Sequence, residues 1–501
     1  MKQKNAWLIL GACFLASFLS LLFFSRSSFL YPTNTWVDSN ASLTVGSALM
    51  HGKVLYADIF DQRGPFLYLL YGLASLVSST TFTGVFLLEC LTLAGFLYYS
   101  YRVATLYVSK NAMIVVPILA IVIPSSKAFG LGGSPEELLL PAFAYGLYSL
   151  LAFLKSPDAQ RPSTATLLIN GFLLGSVFWT KYSLMGFYIG FVISLSVALI
   201  ARKHAKQILS VYGLLLGGFA IATIPWFVYF GLHHAIGDWF EGYFVSNLTH
   251  YMVTTEGIGE RLFSFLENIR NTLARNLQYS SFFLAGMVWV LFGKKQTFPT
   301  LEKVSILLCA ALLTAVIYAG GKDYYYYGIP LGTFSVFGII LVLRLIERYL
   351  DKTTATRALS KIGLVGLSAL LLLFGLTTNR STPFLSAKAD EYVLFRFRDE
   401  MKQSESPTLL NYGSLDLGLF NICNITPSTR YFCTLNLRSE EMLEQIDGYL
   451  LSGSVEYIVS FDDSLATKFD RYELVDSGYS VINEGRTDVY LYQLKSAISA
   501  N

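Results

Sequence analysis

Long uncharged runs of Leu, Phe, Val, Ile, Ala and Gly alternate with short basic or polar connections over the first three quarters of the chain. A helix needs about 20 apolar residues to cross bilayer hydrocarbon. Eleven runs approach that length: 6–24, 82–101, 112–124, 138–154, 167–180, 184–201, 208–230, 278–292, 304–320, 324–345 and 362–376. Past residue 377 the pattern shortens and begins to alternate. Strands are predicted at 408–412, 455–461 and 488–494, and a helix with an acidic first turn at 439–451. The expected fold is therefore an α-helical polytopic membrane protein of about 11 to 13 spans. It divides into a body at 1–379, with a first loop at 25–81, and a small α/β domain at 380–501. The first run resembles a signal peptide, but only Phe23-Phe24-Ser25-Arg26 follows it, with no small-residue cleavage site, so a retained helix is expected.

Composition strengthens this picture. Over 501 residues 53% are hydrophobic and 14% charged, where soluble domains carry about 25% charged residues. A soluble enzyme is excluded. A net charge of +3 without a basic cluster excludes a nucleic-acid partner, five Cys exclude a disulfide scaffold, and 15% aromatic residues exclude a disordered chain. The charge is also uneven, net −7 from Arg380 onward and +10 before it.

Basic residues collect on the cytoplasmic side of membrane proteins, so the charges map the topology. The run 65–77 would cover only about 20 Å as a helix. If it lies on the surface and the N-terminus is cytoplasmic, every basic connection falls inside: Arg102 with Lys110, Lys155 with Arg161, Arg202 to Lys206, Lys294 to Lys303, and Arg344 to Lys361. The first loop, 125–137, the corner at Lys181, 231–277, 320–323 and the acidic tail then lie outside, giving a multi-pass protein with an extracytoplasmic C-terminal domain.

Candidate chemistry gathers on that outer side. The first loop carries Asp38, Asp58, Asp61 and Arg63, the second Glu136 and Glu137 behind Ser134-Pro135, and two further segments carry Lys181 and Lys322, the latter just before Tyr324 to Tyr327. Acids beside cations from separate loops are what a site needs to hold a phosphate and activate a neighbouring hydroxyl. Each residue also has a plainer reading. Glu136 and Glu137 suit a helix N-terminus capped by Ser134, Lys181 could snorkel, and the tyrosines could form an interfacial belt.

An early Asp after the first span, the run Tyr56-x-Asp58-x-x-Asp61-x-x-Gly64-Pro65, and the aromatic stretch from Lys322 to Pro330 resemble the GT-C superfamily of membrane glycosyltransferases. The likeness is strongest to the group holding the protein O-mannosyltransferases and lipid A aminoarabinose transferase. It implies a sugar donor on polyprenyl phosphate, inverting transfer, and a glycan, teichoic acid or lipid acceptor at the outer face of the bilayer. By that likeness Asp38 matches the general base and Arg63 a phosphate contact, with Asp58, Asp61, Glu136, Glu137, Lys181, Lys322 and Tyr327 as further substrate-binding candidates. Two departures stand out: Ser39 follows Asp38 where the mannosyltransferases often have Glu, and Tyr327 stands where some relatives carry His. Protein mannosylation is therefore not inferred.

No cofactor is called for, although Asp38 and Asp61 could hold a divalent cation. His233, His234, Asp238, Glu241 and His250 lack metal-ligand spacing and read as a loop. Cys423 and Cys433 are close enough in the tail for a disulfide. The competing function is a polysaccharide polymerase or lipid-linked glycan flippase. A flippase would place ionisable groups near the bilayer midplane, where Glu89 is the main one.

Overall fold

A computed structural model describes residues 3–251, 257–349, 354–437, 439–483 and 485–495; residues 350–353 of the Arg344 to Lys361 connection lie outside the described residues. All eleven apolar runs are helical. Among the described residues, six helices are long and apolar enough to cross a membrane alone: Ala6–Phe24, Thr83–Ala104, Pro135–Leu154, Ala205–Leu232, Thr300–Tyr318 and Tyr325–Tyr349. This is fewer than the eleven expected. Ala112–Val122, Gly186–Ala201, Leu277–Phe292 and Val365–Thr378 are apolar but shorter, and Thr164–Lys181 is diluted by Thr, Asn170 and Lys181. The chain divides into two compact units: Met1–Phe24, Glu89–Pro225 and Val253–Thr382 form one, and Ser25–Leu88, Trp226–Met252 and Pro383–Asn501 the other.

In the first unit, glycines let helix backbones approach, as in membranes where no hydrophobic effect drives helices together. A Cβ on Gly190 would fall 2.7 Å from Cys309 Cα, and one on Gly286 would fall 2.6 Å from Gly338 N. Large apolar residues remain exposed along the helices, among them Trp7, Leu8, Leu209, Leu216 and Ile221, as lipid-facing surface requires. The helix Ile258–Arg275, expected as loop, turns polar residues inward: Asn268 and Thr272 are buried while Ile258, Leu262, Phe263 and Leu266 are exposed.

The five basic connections touch one another. Lys155 pairs with Glu302 at 3.1 Å, Tyr107 donates to Glu302 at 2.8 Å, Arg202 donates to the carbonyls of Leu154 and Ser156, and Lys110 N donates to Glu347. One end of this helix bundle is thus assembled from the segments that charge alone had grouped.

In the second unit, Val37–Met50 and Pro65–Ser75 are two helices packed through glycine. A Cβ on Gly46 would lie 2.5 Å from Gly72 N. At about 1.5 Å per residue the 11-residue helix Pro65–Ser75 is too short to span.

The C-terminal domain carries a four-stranded sheet, β1 (Leu409–Tyr412), β2 (Tyr457–Ser460), β3 (Tyr472–Ile482) and β4 (Gly485–Leu494), in the order β1-β2-β4-β3. β1 and β2 are parallel and the other pairs antiparallel. The helix Glu440–Ser452 lies between β1 and β2 in sequence, capped by Ser439. Cys423 and Cys433, left open as a possible pair by the sequence, are both free thiols. Cys423 ends a short helix, Cys433 bridges to Asn411 of β1, and burial pushes the Cys423 thiol up to about 12.

Asp416, fully buried after β1, is raised from 3.8 to about 6 by burial; hydrogen bonds from Thr44, the Gly418 N–H and Asn411 oppose the rise. The folded state therefore holds this proton more tightly than the unfolded chain. The resulting stability is complete below about pH 4 and is lost as pH rises through about 6, a change of about 3 kcal/mol. Thermal melting of the detergent-solubilised protein between pH 4 and 7 should show wild type losing stability relative to Asp416→Asn as pH rises. Parallel curves would disprove the assignment.

Candidate functional site

Asp38 occupies the first turn of Val37–Met50, where a carboxylate is favoured by the helix dipole. Arg63 precedes Gly64 and Pro65, the N-cap and first residue of the neighbouring helix. The glycine contact of these helices brings their N-terminal ends together, and the Arg63 guanidinium bridges two acids. Its Nη2 pairs with Asp38 Oδ1, and its Nη1 donates to Asp61 Oδ2 at 2.5 Å. Asp61 is fully buried and also accepts from Gln62 N at 2.6 Å. Asp38 keeps 20% of its side-chain surface exposed, and Arg63 16%.

The backbone around Arg63 is fastened from several directions. Tyr56 Oη donates to the Arg63 carbonyl at 2.7 Å, and the Arg63 N–H donates to Tyr68 Oη at 3.1 Å. Tyr56 adopts a φ of +66°, a region non-glycine residues seldom enter, and its buried phenol is raised well above its usual range by desolvation. Asn247 donates to the Gln62 carbonyl at 2.7 Å. Asp58 takes no part in the cluster: its exposed carboxylate accepts from Val54 N at 2.8 Å and closes the turn.

A second group lies in the first unit. Ser134 caps the short helix Pro135–Leu138 by accepting from Glu137 N, as expected. Fully buried Glu136 pairs with Lys181 Nζ. Lys181 also stands 3.9 Å from the Tyr327 ring centroid and 5.3 Å from that of Tyr326. Both rings are buried, so they serve as a cation–π wall and not as an interfacial belt. The tyrosine run opens a 3-10 segment, Tyr325–Phe334, not the regular helix expected at 324–345; Gly328, Pro330 and Gly332 weaken α-helical winding there. Lys322 lies 5.7 Å from the Tyr324 ring. The next residue, Asp323, pairs with Arg275 at 3.0 Å. Glu137 accepts from Gly133 N at 2.8 Å and lies beside buried Glu89. Proximity to Glu137 is what sequence reasoning lacked for Glu89.

Chemically, Asp61 fixes Arg63 from the buried side, while Asp38 is its accessible partner. A guanidinium with one accessible partner is able to exchange that partner for an anion such as a phosphate through charge-assisted hydrogen bonds, and a carboxylate freed in that way can accept a proton. Among the described residues no group of three or more His, Cys, Asp or Glu gathers as a metal site. Asp38 and Asp61, the pair considered for a divalent cation, both face Arg63. Asp238 pairs with Arg430 at 3.4 Å.

No protein-family profile and no curated protein matches the sequence. Solved structures match the fold. One is ArnT from Cupriavidus metallidurans bound to undecaprenyl phosphate, with a TM-score of 0.59, 11% identity and 98% of both chains covered. The same protein in the apo state matches with a TM-score of 0.60 at 11% identity, covering 98% of this chain and 99% of that one. At this identity the likeness is one of fold, and it runs the length of the chain. This polytopic, largely helical chain therefore shares its fold with ArnT.

Proposed function

We propose that the protein is an integral-membrane glycosyltransferase that moves a sugar from a polyprenyl-phosphate carrier to a cell-envelope acceptor at the extracytoplasmic face, with inversion. The observation that carries this reading is the Arg63 guanidinium held between buried Asp61 and accessible Asp38. The fold supports it, since the matching ArnT structure holds undecaprenyl phosphate.

In the proposed reaction the acceptor oxygen attacks the anomeric carbon of the donor. Its proton passes to an Asp38 carboxylate oxygen. The bond from the anomeric carbon to the phosphate oxygen breaks, its electron pair leaves with the polyprenyl phosphate, and the developing charge is met by Arg63. Arg63 therefore has two partners in turn: Asp38 before the donor binds, and the phosphate afterwards. In the first unit, taken by itself, Lys181, paired with Glu136 and set against the Tyr327 ring, and Lys322 are the cations suited to binding a phosphate.

The test uses membrane vesicles containing the full chain and a panel of radiolabelled undecaprenyl-phosphate hexoses and pentoses. Label from at least one donor should move into an envelope glycan or lipid fraction, with free undecaprenyl phosphate formed in equal amount. Movement of labelled lipid between leaflets without release of sugar would overturn the reading in favour of a flippase.

A further inference from the structure

Within the second unit, the helix that bears Asp38 is gripped by the C-terminal domain through buried polar groups. Thr44 Oγ1 donates to Asp416 Oδ2 at 2.6 Å. The other oxygen of Asp416 accepts from Gly418 N at 2.8 Å, so one carboxylate ties the domain's own loop to the helix. Asn421 Nδ2 donates to the Asn40 carbonyl at 3.3 Å. Gly418 has a φ of +103°, and a Cβ there would fall 2.9 Å from Asn40 Oδ1, so this approach requires glycine. Asn40, Thr44, Asp416 and Asn421 are all buried.

A second grip acts on the loop bearing Asp61 and Arg63. Arg430 Nε donates to the Tyr56 carbonyl at 3.1 Å, and the Arg430 carbonyl accepts from Phe60 N at 2.9 Å.

Both halves of the Asp38–Arg63 pair are thus held by one domain. Thr44 lies six residues beyond Asp38 on the same helix, about 9 Å along its axis. A helix transmits a displacement over that distance with little loss. Burying a carboxylate and three amide or hydroxyl side chains gains less stability than an apolar contact of the same size, and its distinct product is a fixed register.

We infer that the C-terminal domain positions the reacting pair, with Thr44 and Asp416 setting the Asp38 helix and Arg430 setting the Arg63 loop. These are positioning residues, and the inference rests on the proposed role of Asp38.

The test measures initial rates in vesicles with the labelled undecaprenyl-phosphate sugar that wild type discharges. Thr44→Val keeps the shape and removes the donor. Its kcat should fall about 10- to 100-fold, the range a misplacement of about 1 Å produces, with donor KM within about twofold of wild type. Thr44→Ser, which restores the hydroxyl, should recover wild-type turnover. Arg430→Gln should lower kcat by a similar factor and also raise donor KM, because it loosens the loop whose Arg63 meets the donor phosphate, and it decides the question if Thr44→Val proves unstable. Unchanged turnover in both variants, or an equal loss in Thr44→Ser and Thr44→Val, overturns the inference. If Asp38→Asn abolishes transfer while both variants turn over normally, only the positioning claim falls. If Asp38→Asn transfers normally, the reading of the site itself fails.

Discussion

Vesicles carrying Asp38→Asn should transfer sugar at a rate at least about 10²- to 10⁴-fold below wild type, the range expected for loss of a general base. The substitution is nearly isosteric. An Asn side chain keeps an oxygen able to accept from Arg63, so the helix packing through Gly46 and Gly72 and the amount of protein in the membrane should be unchanged. What disappears is the capacity to take a proton. Asp58→Asn is the matched control. That residue lies in the same loop, is exposed and closes only a turn, so its transfer rate should stay within about twofold of wild type, as for surface changes worth less than about 0.5 kcal/mol. Transfer by Asp38→Asn at the wild-type rate would remove the base from the proposed mechanism.

The contrast between Asp38 and Asp58 also shows how much of the molecule could be read from its sequence. The apolar runs marked where helices form because periodicity and length are local properties, though only six of those helices are long and apolar enough to cross a membrane among the described residues, and the distribution of Lys and Arg grouped the connections that include those meeting at Glu302. The helix Val37–Met50 was not legible: its Ser, Asn, Thr and Gly are weak helix formers, and it is stabilised by burial on several sides. β3 was hidden by Asp476-Ser477-Gly478, which reads as a turn but forms an irregular stretch of a long hairpin strand, with a bulge between Leu474 and Asp476. Among the site residues, Asp38, Asp61 and Arg63 could be chosen by type, whereas their pairing depended on two helices crossing. Thr44 and Asp416 lie 372 positions apart, and neither carries a motif. Pairings of that kind are set by tertiary structure, and one sequence holds no local sign of them.

Arg63 is the second position where a large effect is expected, and the choice of substitution decides what is learned. Arg63→Ala would leave fully buried Asp61 without its cation. Breaking a buried pair from one side costs about 3–5 kcal/mol, so lost activity in that variant would be indistinguishable from lost fold. Arg63→Lys keeps the charge but loses the planar fork that engages Asp61 and Asp38 with separate nitrogens. A single ammonium must serve Asp61 or the accessible partner in turn, and its hold on a phosphate weakens. Turnover should fall about 10²-fold, comparable to removing one donor that stabilises developing charge, with the melting midpoint close to wild type. The double variant Asp61→Asn/Arg63→Gln separates the two roles of the pair. It removes the buried charge together with its partner, so the melting midpoint should recover relative to Arg63→Ala while transfer remains at background. Recovery of transfer along with stability would mean that Arg63 only neutralises Asp61 and that the phosphate is met by another group. Stability without transfer would leave Arg63 as the cation on which the leaving phosphate depends.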